Sequence, residues 1–414
     1  MNIGRVKRLL LVTHRAIDQT GGPAARWRSF ARHLGDAGWS VDVVAAPQRA
    51  SAVEFAGDER GRRRVEARAR VMGAAGRLAD PAFRLLGMRP DALPLSMTWL
   101  PRGARAVRRR LDAAPYDAVL ATGPPVVALL AARAAIRPGD PPLLVELRDL
   151  WAGSPAFDRG GPLLPAVERY VFARAAAVVV CTPEAADDVR ARHPGARVVE
   201  VPNGFEGELL SRRREDPPAG RPLTILHSGT LTADRPVAPL LRALARRPGS
   251  FRLVLHGHAA PAIEREIAQG GADVERVPAS GWAEAVERIA AADVTLITQA
   301  RGAGDATAVA SKVYEYLALG RPVLCVTDGG ATEALLRRLG ADGLCARLGD
   351  DASIVAALDR LLAGDVPAPV EPAALAPYER RATALRLAAV LDGQAREGSG
   401  RSGSSAPAST AAIR

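Results

Sequence analysis

Short apolar runs alternate with longer segments of mixed polarity along the whole chain. In the first half the runs are RLLLVT (8–13), SVDVVAA (40–46), YDAVLAT (116–122), PLLVELR (142–148), AAAVVVCT (175–182) and ARVVEVP (196–202). Each run is short, rich in aliphatic residues and bounded by turn residues, which predicts strands buried on both faces of a parallel sheet. Because a helical segment follows each run, we expect an open, doubly wound α/β sheet.

The same alternation restarts after the polar stretch SRRREDPPAGRP (211–222), whose charge and Pro/Gly content are typical of a linker. The later runs are LTILHSG (223–229), FRLVLHG (251–257), ADVTLIT (292–298), RPVLCVT (321–327) and GLCARL (343–348). The pattern therefore predicts two similar α/β domains, residues 1–210 and 223–393.

Two segments interrupt this pattern. Residues 49–115 are rich in arginine, as in ERGRRRVEARAR and RGARAVRRRL, and predict a helical insertion. Its arginines form either a solvated helix face or a patch for an acceptor or a membrane surface. Residues 394–414 are rich in Gly, Ser and Ala, which predicts a disordered tail.

The charge of the chain is concentrated in its first half. The net charge of the 414 residues is +11, and 31 basic residues stand against 22 acidic ones before position 210. A basic half suits a nucleic acid, an anionic membrane surface or an anionic substrate. Aromatic residues make up only 4% of the chain and do not interleave with basic motifs, which argues against nucleic acid.

The spacing of the cysteines and the length of the apolar runs indicate in which compartment the protein is expected. Cys181, Cys325 and Cys345 lie far apart, without the paired spacing of a zinc site or a disulfide framework. We expect buried thiols in a reduced, cytoplasmic protein. No long uncharged apolar run occurs, so we expect any membrane contact to be peripheral.

Two places in the first half could bind a ligand. Gly21 and Gly22 precede a predicted helix, whose first backbone amides would face an anion at the carboxyl ends of the strands. The motif is not G-x-G-x-x-G, so the dinucleotide fingerprint is missing. Arg148 and Asp149 follow the fourth strand and either orient a loop or contact a sugar or acceptor. The turn VPNGFE (201–206) either simply reverses the chain or presents its backbone to a ligand.

In the second half, SGTLTADRP contains three candidate phosphate ligands. Gly229 permits close approach of the backbone, and Thr230 offers a hydroxyl. Arg235 stands before a helix that Pro236 can start, and its guanidinium matches a phosphate as a bidentate donor.

The stretch SKVYEYLALGRPV contains one of only two lysines in the chain, Lys312. Ser311 is a plausible N-cap and Gly320 a stop signal, which predicts a helix between them. The helix dipole disfavours a cation in the first turn, so Lys312 there suggests an anion. Glu315 lies on the same face and could accept hydrogen bonds from the two hydroxyls of a ribose. The alternative is an exposed ion pair of little energetic value.

Taken in order, these motifs resemble the GT-B glycosyltransferases, in particular family four, the retaining nucleotide-sugar transferases. The resemblance runs from TGGPAARWRSFARHLGDAGWSVDVV through LRDLWA, VPNGFE and SGTLTADR to SKVYEYLALGRPV. The last segment is close to the family pattern Lys-x-x-Glu-Tyr-x-Ala-x-Gly-x-Pro-Val. LRDLWA is similar to a segment of a bacterial subgroup active in polysaccharide and cell-envelope glycoside assembly.

The resemblance implies two Rossmann-like domains facing a central cleft, with the last helix packing back onto the first domain. It implies transfer of a sugar from a nucleoside diphosphate sugar to an acceptor hydroxyl, in the biosynthesis of a polysaccharide, a glycolipid or a natural-product glycoside. Glu315 would hold the ribose, and the other donor residues the diphosphate. The residues that match the family's donor site are Gly21, Gly22, Gly229, Thr230, Arg235, Lys312 and Glu315.

The acceptor is expected mainly in the first domain, near Arg148, Asp149 and Trp151. The residues expected to act in catalysis are Arg235, Lys312 and Asp149. The chain contains no Asp-x-Asp motif, so the two cations are expected to replace a metal ion, with no cofactor. The acceptor is a lipid-linked glycan or a soluble natural product, and peripheral contact with the inner membrane face is expected in the first case.

Three departures from the family pattern leave two alternatives open. Thr307 replaces the first glutamate of the family's Glu-x7-Glu pair, and Thr230 replaces a basic residue. The segment ATGPP (121–125) stands where the family often has a histidine. The chain could therefore be a non-catalytic partner protein that binds nucleotide sugars, or a GT-B sugar-nucleotide epimerase.

Overall fold

The computed structural model describes residues 5–14, 22–46, 99–152, 164–213, 221–233, 235–299 and 306–402. Contacts divide the chain between two compact units. The first is drawn from Met1–Cys181, Ala186–Val201 and Ala384–Arg414, and the second from Thr182–Ala185 and Pro202–Thr383.

The first part of the chain alternates strands and helices as the apolar runs predicted. In order, its elements are β1 (Lys7–Thr13), α1 (Gly22–Asp36), β2 (Trp39–Ala45), α2 (Leu100–Ala113), β3 (Ala118–Gly123), α3 (Val127–Ala135), β4 (Leu143–Leu147), α4 (Leu164–Phe172), β5 (Ala175–Val180), α5 (Pro183–Arg192) and β6 (Val198–Glu200). The strands form one parallel sheet in the order β2-β1-β3-β4-β5-β6.

The second part repeats the alternation. Its elements are β7 (Leu223–Ser228), α6 (Ala238–Ala245), β8 (Phe251–His256), α7 (Pro261–Gln269), β9 (Val274–Val277), α8 (Trp282–Ala291), β10 (Val294–Thr298), α9 (Lys312–Ala318), β11 (Val323–Thr327), α10 (Ala331–Arg338), β12 (Cys345–Arg347), α11 (Asp351–Leu362), α12 (Pro372–Leu375) and α13 (Arg380–Ser402). The sheet order is β12-β11-β10-β7-β8-β9, again all parallel. The predicted fold class, two doubly wound α/β sheets, is confirmed.

Helices α1 and α13 cover one face of the first sheet. Trp27, Phe30 and Leu34 of α1 are buried at the helical spacing seen in the sequence, against strand residues such as Leu9. Leu391 of α13 is buried in the same cluster. Burying each large apolar side chain stabilises the fold by about 1.5 to 3 kcal/mol. The last helix therefore supplies part of the core of the first unit.

The apolar runs did not indicate β9. Its sequence, VERV, alternates apolar and charged residues, and Glu275 and Arg276 are exposed because β9 is an edge strand. Continuous apolar runs mark strands that are buried on both faces, and an edge strand of this kind has no such run.

Two segments predicted to be irregular begin or end in regular structure. Gly207–Arg212 is a 3₁₀ helix with Leu209 buried, and Arg213 donates to the carbonyls of Ala318 (3.0 Å) and Val370 (2.7 Å), so the start of the predicted linker packs in the second unit.

The predicted disordered tail starts too early, because α13 continues to Ser402. Gln394 is buried and Glu397 pairs with Arg197 at 2.7 Å, which ties this part of the helix to the first unit. Residues 403–414 lie outside the described residues.

The arginine-rich insertion is described only from residue 99 onward, since residues 47–98 lie outside the described ranges. Its described part contains α2, which packs through Val107 and exposes Arg102, Arg105 and Arg109. The exposed arginines are compatible with both roles considered from the sequence.

Candidate functional site

The first-unit candidates lie just beyond the carboxyl end of β4. The guanidinium of Arg148 donates to the carbonyl of Pro124, in the ATGPP segment, and burial lowers its pKa. Asp149 is exposed, whereas Trp151 is buried and its Nε1 has no hydrogen-bond partner among the residues that the structure describes. Gly21 lies outside the described residues and Gly22 begins α1. Arg148, Asp149 and Trp151 therefore share one edge of the sheet.

In the second sheet, the connection order reverses between β7 and β10. The last residues that are paired between these two strands are Leu226 on β7 and Thr295 on β10. Beyond that point, the amide of Ser228 donates to the hydroxyl of Tyr316 (3.1 Å), and Nδ1 of His227 contacts the carbonyl of Leu296 (3.1 Å). Side chains thus occupy the space between two separating strand ends, which is where open α/β sheets bind ligands.

Gly229 and Lys312 meet at this switch point. Gly229 has φ +135°, and a methyl group on it would lie 1.5 Å from Nζ of Lys312. Only glycine accepts both this backbone conformation and a lysine lying across it. Thr230, the next residue, is exposed. The ammonium group of Lys312 therefore lies directly against the backbone of Gly229, and these two groups together are called the seat below.

The electrostatics of this seat favour an anion. Burial, opposed by Glu315 and aided by the charge of Arg235, lowers the pKa of Lys312 to about 8. Burial and then the charge of Lys312 lower the pKa of His227 to about 3, so that imidazole is neutral. Lys312 makes no hydrogen bond or ion pair with another residue of the described ranges. A partly buried, unpaired ammonium is costly unless a ligand compensates it.

This pKa has a measurable consequence for anion binding. A bound diphosphate raises the pKa of Lys312, so binding at pH about 9 should take up a proton. The affinity should fall as pH rises above about 8, because the unliganded lysine loses its charge there. Calorimetry in two buffers of different ionisation enthalpy measures the uptake. Lys312→Arg, which stays protonated, should abolish it; an enthalpy independent of buffer in the parent protein contradicts the prediction.

Helix α9 is held at its start by a residue that the sequence did not indicate. The backbone amide of Ala310 donates to Oγ1 of Thr332 (3.0 Å), which is fully buried. Ser311 occupies the N-cap position, but its backbone is already helical and its side chain makes no capping bond. Ser311 therefore takes the predicted N-cap position without the side-chain bond of a cap, and Thr332 fixes the segment that leads to Lys312.

The end of α9 follows the prediction from Gly320. Gly320 has φ +72°, its amide donates to Leu317 (3.0 Å), and the amide of Arg321 donates to Tyr316 (3.0 Å). This pair of bonds is a Schellman motif, which ends the helix cleanly.

Glu315 lies one turn after Lys312 on the same helix. Its Oε1 is 3.5 Å from Nε1 of Trp282, which begins α8 and is 42% exposed. Burial raises the pKa of Glu315, while Arg380 and the other nearby donors oppose that rise. Trp282 was missed from the sequence because no motif linked it to α9.

The helix after Arg235 begins later than predicted. Helix α6 starts at Ala238, not at Pro236, and the amides of Val237 and Ala238 both donate to one carboxylate oxygen of Glu266, at 2.8 and 2.9 Å. These amides are therefore already satisfied. The partly buried side chain of Arg235, rather than this helix start, is left to meet an anion.

The turn VPNGFE packs against another segment of the same unit. A methyl group on Gly204 would lie 1.9 Å from the carbonyl oxygen of Tyr378, and the amide of Phe205 donates to that oxygen (3.1 Å). Gly204 and Phe205 therefore give this turn a role in chain packing.

The described residues form no metal cluster and no membrane-spanning helix. No group of three or more His, Cys, Asp or Glu residues within the described ranges could hold a metal ion. None of the helices described here is both long and apolar enough to cross a membrane. The cysteines are free thiols, and burial raises the pKa of Cys181 to about 12.

Two family models match the sequence. The one described as "Glycosyl transferase 4-like domain" matches residues 21–204, and the one described as "Glycosyl transferases group 1" matches residues 222–364. These ranges include most of the chain. No curated protein matches the chain.

Solved structures share the fold at low sequence identity. The lipopolysaccharide outer core galactosyltransferase WaaB, in its apo form, has a TM-score of 0.64 at 12% identity, covering 93% of this chain and 99% of WaaB. Anabaena HepE in complex with UDP and glucose has a TM-score of 0.57 at 14% identity, covering 96% and 100%. A UDP-N-acetylglucosamine 2-epimerase has a TM-score of 0.55 at 15% identity, covering 99% and 100%.

The family models distinguish between the activities that this fold supports. An epimerase shares the fold, so the fold alone does not identify a transferase. Both parts of the chain match glycosyltransferase models, and the protein is a sugar-transferring enzyme. It belongs to the GT-B glycosyltransferases, as the sequence motifs predicted.

Proposed function

We propose that the protein transfers a sugar from a nucleoside diphosphate sugar to an acceptor hydroxyl, with the diphosphate bound at Gly229, Arg235 and Lys312. The observation that supports this most is the ammonium of Lys312, which pairs with no other described residue and lies across the backbone of Gly229 at the switch point of the second sheet. HepE, which shares the fold, has been solved with UDP-glucose. A uridine nucleotide is therefore the first donor to test.

The proposed chemistry needs charge stabilisation more than it needs a base. When the bond between the anomeric carbon and the diphosphate oxygen breaks, negative charge develops on the leaving diphosphate. Lys312 and Arg235 would stabilise that charge, and fixed charges in a partly buried site are well suited to this task. We propose that these cations act without a metal ion or cofactor. Because burial and the charge of Lys312 keep His227 neutral, Lys312 and Arg235 supply the positive charge there.

Glu315 suits the ribose of the same donor. It follows Lys312 by about one helical turn, so one helix face offers a cation and a hydrogen-bond acceptor. Its contact with Trp282 leaves a second carboxylate oxygen for a hydroxyl. We propose that Thr230 completes the part of the donor site that lies in the second unit.

The finer assignments rest on the family resemblance. We propose family-four chemistry with retention, in which the acceptor hydroxyl gives its proton to the leaving phosphate oxygen. Arg148, Asp149 and Trp151 would contact the acceptor, and Asp149 is also proposed to take part in catalysis. The bacterial subgroup suggests polysaccharide or cell-envelope assembly on the cytoplasmic side, with the exposed arginines of α2 resting on an anionic membrane surface.

A donor screen followed by a transfer assay tests this function. Nucleotide sugars that bind should raise the melting temperature of the protein by mass action. The best donor, incubated with candidate acceptors, should yield free nucleoside diphosphate and a glycosylated product. Conversion of the donor sugar without any acceptor would favour the epimerase alternative. Donor binding with no turnover on any acceptor would favour the non-catalytic alternative, in keeping with Thr307 in place of a glutamate.

A further inference from the structure

His256, at the end of β8, links two loops of the second unit through its side chain. Its Nδ1 is 3.0 Å from Oγ of Ser228, and its Nε2 is 2.9 Å from Oγ of Ser280. His256 and Ser228 are register partners on neighbouring strands and are only 4% and 5% exposed. Both ring nitrogens are therefore used, one toward the end of β7 and one toward the loop before α8.

The backbone around His256 holds the loop after β7 independently of this side chain. The amide of Gly229 donates to the carbonyl of His256 (2.7 Å), and the amide of Leu231 donates to the carbonyl of His258 (2.8 Å). A methyl group on Gly257 would lie 2.3 Å from the carbonyl oxygen of Gly229. Main-chain bonds thus already hold Gly229 and Leu231 in place. The contact that the imidazole adds to another loop is the one between its Nε2 and Ser280.

The loop that Ser280 belongs to leads to the proposed ribose carboxylate. Gly281 precedes α8, and Trp282, its first residue, contacts Glu315 at 3.5 Å. The hydroxyl of Tyr316, the residue after Glu315, accepts a hydrogen bond from the amide of Ser228 (3.1 Å). The contacts thus form a closed ring around the carboxyl edge of the sheet. Its members, in order, are Ser228, His256, Ser280, Trp282, Glu315 and Tyr316.

We propose that His256 is a positioning residue for the nucleoside half of the donor. Its imidazole holds the 278–281 loop, and with it Trp282 and Glu315, at a fixed distance from the end of β7. A nucleoside diphosphate can then reach Gly229 with its phosphates and Glu315 with its ribose at once. This inference rests on the proposed donor site and adds a residue that touches neither the phosphates nor the sugar.

The test compares a nucleoside diphosphate with inorganic pyrophosphate on the full-length protein. The nucleotide is whichever of UDP, GDP, ADP and TDP binds the parent protein most tightly by calorimetry. His256→Ala should raise its Kd about 3- to 10-fold, the range expected for one or two neutral hydrogen bonds, and should change the pyrophosphate Kd less than about 2-fold. With donor sugar, KM should rise in the same proportion while kcat stays within about 2-fold.

Three further variants separate positioning from general damage to the fold. Ser280→Ala, in a partly exposed loop, removes only the second bond and should act in the same direction as His256→Ala. His256→Gln, whose amide reaches the position of Nε2, should restore nucleotide affinity, whereas His256→Asn, which reaches only the position of Nδ1, should not. Ser280→Ala also serves as the test if His256→Ala does not fold.

Each other outcome overturns the proposal. Equal losses of nucleotide and pyrophosphate affinity would mean that His256 supports the whole edge, and unchanged nucleotide affinity would mean that it positions nothing. If the parent protein binds donors and the His256 and Ser280 variants bind them equally well, this inference fails and the proposed function survives. If the parent protein binds none of the four nucleotides, the proposed function fails together with it.

Discussion

Lys312→Ala is expected to lower the turnover number about 10²- to 10³-fold, equivalent to about 2.7 to 4 kcal/mol of transition-state stabilisation. The ammonium lies across Gly229 without any other partner in the described parts of the chain, so the ligand is the group that it can stabilise. Its effect should be larger on turnover than on binding, because the charge on the diphosphate grows as the sugar leaves. Steady-state kinetics with saturating donor measure the loss.

Two matched variants show whether the lost charge is the cause. Lys312→Arg keeps the charge but cannot occupy the same narrow position against Gly229, so an intermediate loss is expected. Glu315→Gln, on the same helix, should mainly weaken donor binding, by about 1.5 to 3 kcal/mol for a hydrogen bond to a charged group. Turnover of Lys312→Ala close to that of the parent protein would exclude the phosphate role, as would an equal loss of turnover in Glu315→Gln.

The strands could be predicted from the sequence because burial on both faces leaves a strong local pattern. Runs such as RLLLVT and AAAVVVCT admit few polar residues, and their strands are buried almost throughout. Edge strand β9 carries no such pattern, since its exposed residues are charged. The boundary of the disordered tail was missed for a related reason. Gln394 is buried and Glu397 pairs with Arg197 of the first unit, and a contact so distant in sequence is invisible to local composition.

The site was predictable where one residue type has few other uses. A glycine directly after a predicted strand and a lysine in a chain of arginines both stand out in the sequence. The structure brings these two residues together, and Gly229 there has a positive φ. Thr332, Glu266 and His256 were missed, because each acts on a segment far away in the sequence. Common polar residues acquire such roles only through the register of the sheet, which the sequence does not display locally.

Removing a partner from the buried ion pair of the first unit is expected to have the largest effect on stability. Glu146 on β4 is fully buried and Arg26 on α1 is 4% exposed, with Nη2 of Arg26 3.0 Å from Oε1 of Glu146. The other carboxylate oxygen accepts from Trp27 (2.9 Å) and Thr122 (2.6 Å). Burial opposes the charge of Glu146, but Arg26 and the hydrogen bonds outweigh it and lower the pKa of this carboxyl.

Arg26→Met should therefore lower the free energy of unfolding by about 3 to 5 kcal/mol at neutral pH, because a buried carboxylate loses its ion-pair partner and keeps only the charge of Arg148 nearby. The loss should shrink on acidification, since the lowered pKa means that the pair stabilises the fold only while Glu146 is ionised. Urea unfolding measures both effects.

The double variant Arg26→Met with Glu146→Gln decides whether pairing is the cause. With both charges removed, it should be no less stable than the worse single variant, so the two losses should not add. Arg190→Met is the matched surface control in the same unit: Arg190 and its partner Asp187 are largely exposed at 3.0 Å, and a cost below about 1 kcal/mol is expected. Additive losses in the double variant, or a cost for Arg26→Met no larger than that of Arg190→Met, would show that the buried pair does not hold α1 against β4.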